Sequence, residues 1–166
     1  MSKELTPLEK MELLIPGFRG YKQKELLRED DALVRRKISS ILDDARVKVE
    51  RLITAVKKKN ISIALRLDDL RLELMKASQM IKHASYGYSG LFDRAKVEES
   101  ELQRLLEYDY KLVSEASRIM EKVLELTTIT DPQEFMEKLN ATIDLVRQLE
   151  DDIKMREQIL RGEVVQ

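Results

Sequence analysis

From Tyr21 to Lys59 the chain runs 39 residues without a proline or a glycine. Within that run Val34, Ile38, Ile41, Ala45, Val49, Leu52 and Val56 recur at spacings of three and four. That spacing draws one continuous apolar face on a helix. A helix of this length spans about 58 Å at 1.5 Å per residue, so it needs other long helices to bury its stripe. This one feature excludes a sheet-based fold unless strands appear elsewhere, and none do. Ile61 to Leu67 alternates in the manner of a strand, but no second strand-like segment exists to pair with it, and lone strands are not stable.

Three further helices are expected. The first, over 62–84, is started by Ser62 as N-cap and carries Ile63, Leu67, Leu70, Leu74, Ala77, Ile81 and Ala84, with Leu65, Leu72 and Met75 widening the stripe. It is the most apolar helix and is expected to be the most buried. The second, over 98–127, carries Leu102, Leu105, Leu112, Ala116, Ile119, Val123 and Leu126. The third, over 132–161, opens on Asp131-Pro132-Gln133-Glu134, a cap, a first-turn proline and a third-position glutamate, and ends at Gly162. Upstream, Thr6-Pro7-Leu8-Glu9 has the same start signal, and Pro16-Gly17 stops that helix after two turns. Lys57-Lys58-Lys59 suits the negative end of the long helix, with Asn60 as a left-handed cap.

The fold expected is therefore all-α: an antiparallel four-helix bundle, or long helical hairpins, with a short extra N-terminal helix. Residues 1–166 form one domain, with 1–20 as an arm and 21–161 as the bundle. The helix lengths differ, so the start of the first long helix is exposed unless the arm or a second copy covers it, and a homodimer through that half is expected.

Two segments break the helical pattern. Pro16 to Tyr21 and Ser85 to Asp93 together hold four of the five glycines and five of the eight aromatic residues. Glycines permit sharp turns and close approach, and the rings bring apolar area that needs cover. These segments are expected to pack on each other through Phe18, Arg19, Tyr21, Tyr86, Tyr88 and Phe92. Asp109 lies beneath them, in the apolar stripe between Leu105 and Leu112. A carboxylate there requires a partner. The candidates are Arg19, Lys22, Arg35, Arg36 and His83, with Arg19 preferred because its forked donor lies inside the arm.

Several chemistries lack their residues. The single histidine, His83, has Met80 three positions before it, so the paired Glu-x-x-His motifs of a di-iron bundle are missing. Gly17-x-x-Gly20 and Gly87-x-x-Gly90 follow no strand, which leaves them turns and not phosphate cradles. No metal and no cofactor is expected. The net charge of -1 gives no bulk attraction for nucleic acid, so nucleic acid is not an expected partner. The Tyr86/Tyr88 and Tyr108/Tyr110 pairs lack the basic groove that base stacking needs. The chain has no cysteine, which fits a cytoplasmic setting. Membrane attachment through Leu5, Leu8, Met11, Leu14 and Ile15 rests on a short stripe and is not expected.

The segments IPGFRGYKQKELLRE, ASYGYSGLFD and LQRLLEYDY together resemble a prokaryotic family of helical proteins with no assigned activity. The resemblance covers most of the chain and implies a helical fold, but no enzymatic residue. The function expected is a non-enzymatic scaffold or adaptor that works through protein–protein contact with an unidentified protein. The alternative is a small-molecule-binding or enzymatic bundle with its site at the 85–93 loop and Asp109.

Overall fold

The computed structural model describes residues 3–83, 91–92 and 98–161. Tyr86, Tyr88, the second GxxG turn and the Gly162 stop lie outside the described residues. Five α-helices follow one another: α1 (Pro7–Leu14), α2 (Leu27–Val56), α3 (Ile61–His83), α4 (Glu99–Leu126) and α5 (Pro132–Leu160). A single 3-10 turn (Lys24–Leu26) leads into α2. No strand occurs among the described residues. No described helix is long and apolar enough to cross a membrane.

The two start signals work as written. Thr6 and Glu9 form a reciprocal capping box, with Thr6 N–H donating to Glu9 Oε2 at 2.7 Å and Glu9 N–H to Thr6 Oγ1 at 3.2 Å. Asp131 Oδ2 accepts from Glu134 N–H at 3.0 Å. At the other end of the α4–α5 connection, the hydroxyls of Thr127 and Thr128 bond back to the Leu124 and Glu125 carbonyls, ending α4.

Two caps differ from expectation. Asn60 is not a left-handed terminator, since Tyr21 is the one non-glycine with positive φ among the described residues. Its carboxamide instead accepts from Ile63 N–H at 3.1 Å, so Asn60 starts α3 and Ser62 lies inside the helix. The long helix also begins six residues late, at Leu27. Gly17, Gly20 and Tyr21 all take positive φ, at 88°, 71° and 61°, which turns the chain before it can enter a helix.

The helices pack as a bundle around one core. α2 lies against α3 and α4, and α5 lies against α3 and α4. α3 and α4, though consecutive, share no contact among the described residues. A simple up-and-down bundle would place them side by side. α3 instead takes α5 as its second neighbour.

The polar rungs show the direction of that pairing. Arg66 meets Asn140 at 2.7 Å, Glu73 meets Arg147 at 3.5 Å, and Lys76 meets Glu150 at 3.3 Å. Both helices are read upward together, at the 74-residue offset of the first rung, so they run in the same direction.

The core contains Val34, Ile38, Leu42, Ala45 and Val49 of α2, Leu67, Leu70 and Leu74 of α3, Leu105 and Leu112 of α4, and Leu139, Ile143 and Ile153 of α5, all without exposed surface. Leu65, Leu72 and Met75, expected to widen the buried stripe of α3, point outward. α3 is apolar on two sides, and the core uses only one. At the N-terminus, Met11 and Ile15 are buried and α1 rests on α4. The arm therefore covers the bundle end where the uncovered half of a longer first helix was expected to dimerise. Two members of the stripe considered for membrane attachment are spent on the core.

Candidate functional site

The arm is fixed by a carboxylate in the first turn of α2. Asp30, fully buried, accepts from the N–H of Arg19 at 3.1 Å and of Tyr21 at 2.9 Å. These two bonds hold a backbone whose glycines and tyrosine are left-handed. Gly20 has a second reason to be glycine: a Cβ there would lie 2.5 Å from Leu8 Cδ1. The turn swings Phe18 and Tyr21 inward, edge to face at 5.3 Å between ring centroids. Tyr21 also lies 6.2 Å from the Phe92 ring. Next to it, Leu91 N–H donates to the Leu160 carbonyl at 2.8 Å, tying the 91–92 turn to the end of α5. The arm and this turn thus meet as expected through Tyr21 and Phe92. The contacts proposed for Tyr86 and Tyr88 fall outside the described residues.

Asp109 is beneath them and has no exposed surface. Its partner, however, is Arg156 of α5 and not Arg19. Arg156 Nε donates to Asp109 Oδ1 at 2.6 Å, and Nη2 reaches Asp31 Oδ1 at 2.6 Å and Asp109 Oδ2 at 3.4 Å. The Tyr21 hydroxyl donates to Asp109 Oδ2 in a short bond. Arg35, another of the expected candidates, pairs at 2.6 Å with Asp31, so it joins the cluster one residue removed from Asp109. Arg19 stays largely in solvent, 3.9 Å from Glu29.

The cluster thus draws one arginine from α5, one aspartate from α4, an aspartate and an arginine from α2, and a tyrosine from the arm. Two cations balance two carboxylates, which is what makes their burial tolerable. Burial and the neighbouring Asp109 carboxylate push the Tyr21 hydroxyl well above its usual range, so it remains a donor. Burial works against the Arg156 charge, but Asp109 and Asp31 more than offset it and raise its pKa. Burial lifts the Asp109 carboxyl above the ordinary aspartate range, against the pull of Arg156 and Tyr21.

The signal for Arg156 was present in the sequence. The α5 stripe passes through Leu149 and Ile153 and resumes at Leu160, and Arg156 fills the intervening turn. It is the cationic counterpart of the carboxylate that interrupts the α4 stripe.

Two more polar sites flank α5. Glu73 and Glu150 face each other between α3 and α5, and Glu115 and Asp152 do so between α4 and α5. Burial, and then the facing carboxylate, push Glu150 up to about 7 and Glu115 up to about 8. Glu73 Oε2, Glu150 Oε1, Glu115 Oε2 and Asp152 Oδ2 are buried without a conventional partner.

Two concavities border the arm. A cleft of about 310 Å³ is lined by Gly20, Tyr21, Lys22 and the first turns of α4, but Asp109 does not line it. An open groove of about 600 Å³ separates α1 from α4, with Lys10 stacked 5.5 Å over Tyr110 at its wall.

The surface feature that sequence reading missed is on α3. Ile61, Leu65, Leu72 and Met75 are exposed by 63%, 64%, 44% and 39%. They succeed one another at steps of four, seven and three, which aligns them along one line of the helix. No family model matches the chain, and no curated protein or solved structure matches it, so its function is argued from these sites.

Proposed function

We propose that this chain, two antiparallel helical hairpins laid side by side beneath an N-terminal arm, is a non-enzymatic module that acts through protein–protein contact. The outer face of α3 is its docking surface. The observation that carries this reading is the exposed row Ile61, Leu65, Leu72 and Met75. Scattered apolar residues on a surface are ordinary, but four in line on one helix face, interrupted by Asp68, support an interaction site. Its geometry suits a helix laid along a helix, with anchors every three or four residues.

The enzymatic alternative needs Asp109 as a reachable acid. Both its oxygens are occupied by Arg156 and Tyr21, and it has no exposed surface. The arm, the turn at 91–92 and the arginine cluster serve instead as the clasp that closes one end of the bundle.

The test uses Leu65→Glu with Leu72→Glu. Both positions are exposed, so the double variant is expected to keep its helix content and unfolding midpoint. A protein recovered from native lysate by the wild type should be lost by the variant. The same protein, purified, should bind the variant at least about tenfold more weakly, the scale of one hot-spot residue. Equal binding to both forms would refute the assignment of α3 as the docking face.

A further inference from the structure

We propose that the open groove between α1 and α4 binds a small amphiphile bearing one carboxylate, with Arg118 as its anchor. This site is separate from the α3 face and does not rest on the docking reading. The groove holds about 600 Å³, within the range of small-ligand sites. Its α4 wall runs from Tyr110 to Lys122, about 18 Å at 1.5 Å per residue, whereas its α1 wall runs only from Lys10 to Leu14, about 6 Å. The groove therefore continues past the end of α1. Met11 and Ile15 are the residues that bury the arm helix, which leaves Leu13 and Leu14 to line the groove, exposed by 72% and 41%.

The α4 wall supplies donors that the fold does not use. Ser117 and Arg118 lie three and four residues after Ser114, so both stand one turn above it on the same face. Ser39, Thr54 and Thr142 spend their hydroxyls on carbonyls of their own helices. Ser114 and Ser117 make no such bond among the described residues, and Arg118 has no ion pair among them. The other lining cations are engaged: Lys10 sits 5.5 Å over the Tyr110 ring, and Lys122 is held by Glu125 at 3.4 Å. Arg118 therefore offers a free fork that matches a carboxylate, with two hydroxyls beside it. Glu121, three residues beyond Arg118, repels a second negative group, so the occupant carries one charge. An inorganic anion would leave Leu13 and Leu14 in water, and a purely apolar ligand would leave Arg118 unpaired. A peptide would bring backbone donors and acceptors that the leucine wall cannot meet. A carboxylate on Arg118 with an apolar body over Leu13 and Leu14 meets both walls.

The probe is decanoate, kept below the concentration at which it forms micelles and titrated calorimetrically into the full-length chain. One saturable site is expected. Arg118→Glu should weaken binding at least about tenfold, and decanol should bind the wild type at least about tenfold more weakly than decanoate does. Ser114→Leu fills the groove without altering charge and should lower the affinity for both ligands. Arg118 and Ser114 are exposed, so both variants are expected to keep their helix content and unfolding midpoint. The variant carrying Leu65→Glu with Leu72→Glu should bind decanoate as the wild type does, and a loss there would place the ligand on α3 and overturn the proposal. Absence of saturable binding, or many equivalent weak sites, overturns it as well. So does an affinity unchanged by Arg118→Glu, or decanol bound as tightly as decanoate.

Discussion

Replacing Arg156 with methionine removes the one cation that, among the described residues, bonds to Asp109. Arg156 makes two bonds of 2.6 Å to carboxylates and two longer contacts, at 3.4 Å to Asp109 and 3.5 Å to the Tyr21 hydroxyl. Charge-assisted bonds of this kind contribute about 1.5–3 kcal/mol each. The losses are unequal. Asp31 keeps Arg35 at 2.6 Å, so its charge remains compensated. Among the described residues Asp109 keeps only the Tyr21 hydroxyl, and it stays fully buried. The expected loss is therefore about 3–5 kcal/mol, as for other buried pairs stripped of one partner. For a chain of this size that lowers the unfolding midpoint by roughly 6–20 °C. Adding Asp109→Asn removes the stranded charge and keeps an acceptor for Tyr21. The double variant should therefore be at least about 1 kcal/mol more stable than the sum of the single effects implies. The deficit of Arg156→Met should also shrink as pH falls, because Asp109 is then neutral in both folded and unfolded chains. Denaturant melts of the four forms at neutral and acid pH measure all of this. Additive single effects, or a deficit unchanged by acid, would refute the claim that an uncompensated Asp109 charge is what destabilises the variant.

Three other outcomes follow from local geometry. Asp131→Ala should cost about 0.5–2 kcal/mol in a thermal or denaturant melt, because the cap bond to Glu134 N–H is lost. Gly20→Ala should cost at least about 1 kcal/mol, since φ is +71° and the new methyl group meets Leu8; an unchanged midpoint would show that the arm does not clasp the bundle. Glu115 and Glu150 titrate in the folded chain at about 8 and about 7, above the unfolded carboxylate value of 4.5. The folded state thus holds protons that the unfolded state has released, and these groups make stability fall as pH rises from about 4.5 to 8. Glu115→Gln and Glu150→Gln together should flatten that slope in melts across the range, and a slope unaffected by both changes would locate it elsewhere.

Local chemistry was enough to specify the helices. Thr6 with Glu9, and Asp131 with Pro132, act through atoms within three residues of each other, so their pattern can be read without knowing the fold. The stripes of α2, α4 and α5 fall where the period of 3.6 residues puts them, and the conspicuous carboxylate at position 109 identified a buried polar site. The partner was a different matter. Asp109 and Arg156 are 47 residues apart and meet only because α4 and α5 turn back on each other. Arg19 looked closer to Asp109 only while the arm was treated as a free reach. In the fold, Asp30 fixes the arm by its backbone, and the Arg19 side chain is left outside.

The tertiary structure alone decided which side of α3 faces the core. Leu67, Leu70 and Leu74 are buried, whereas Leu65, Leu72 and Met75 are exposed, yet both sets recur at helical spacing. Periodicity reports that a helix has apolar faces; it carries no information on which neighbours cover them. That depends on α3 packing against α2 and α5, which leaves its other apolar side to solvent.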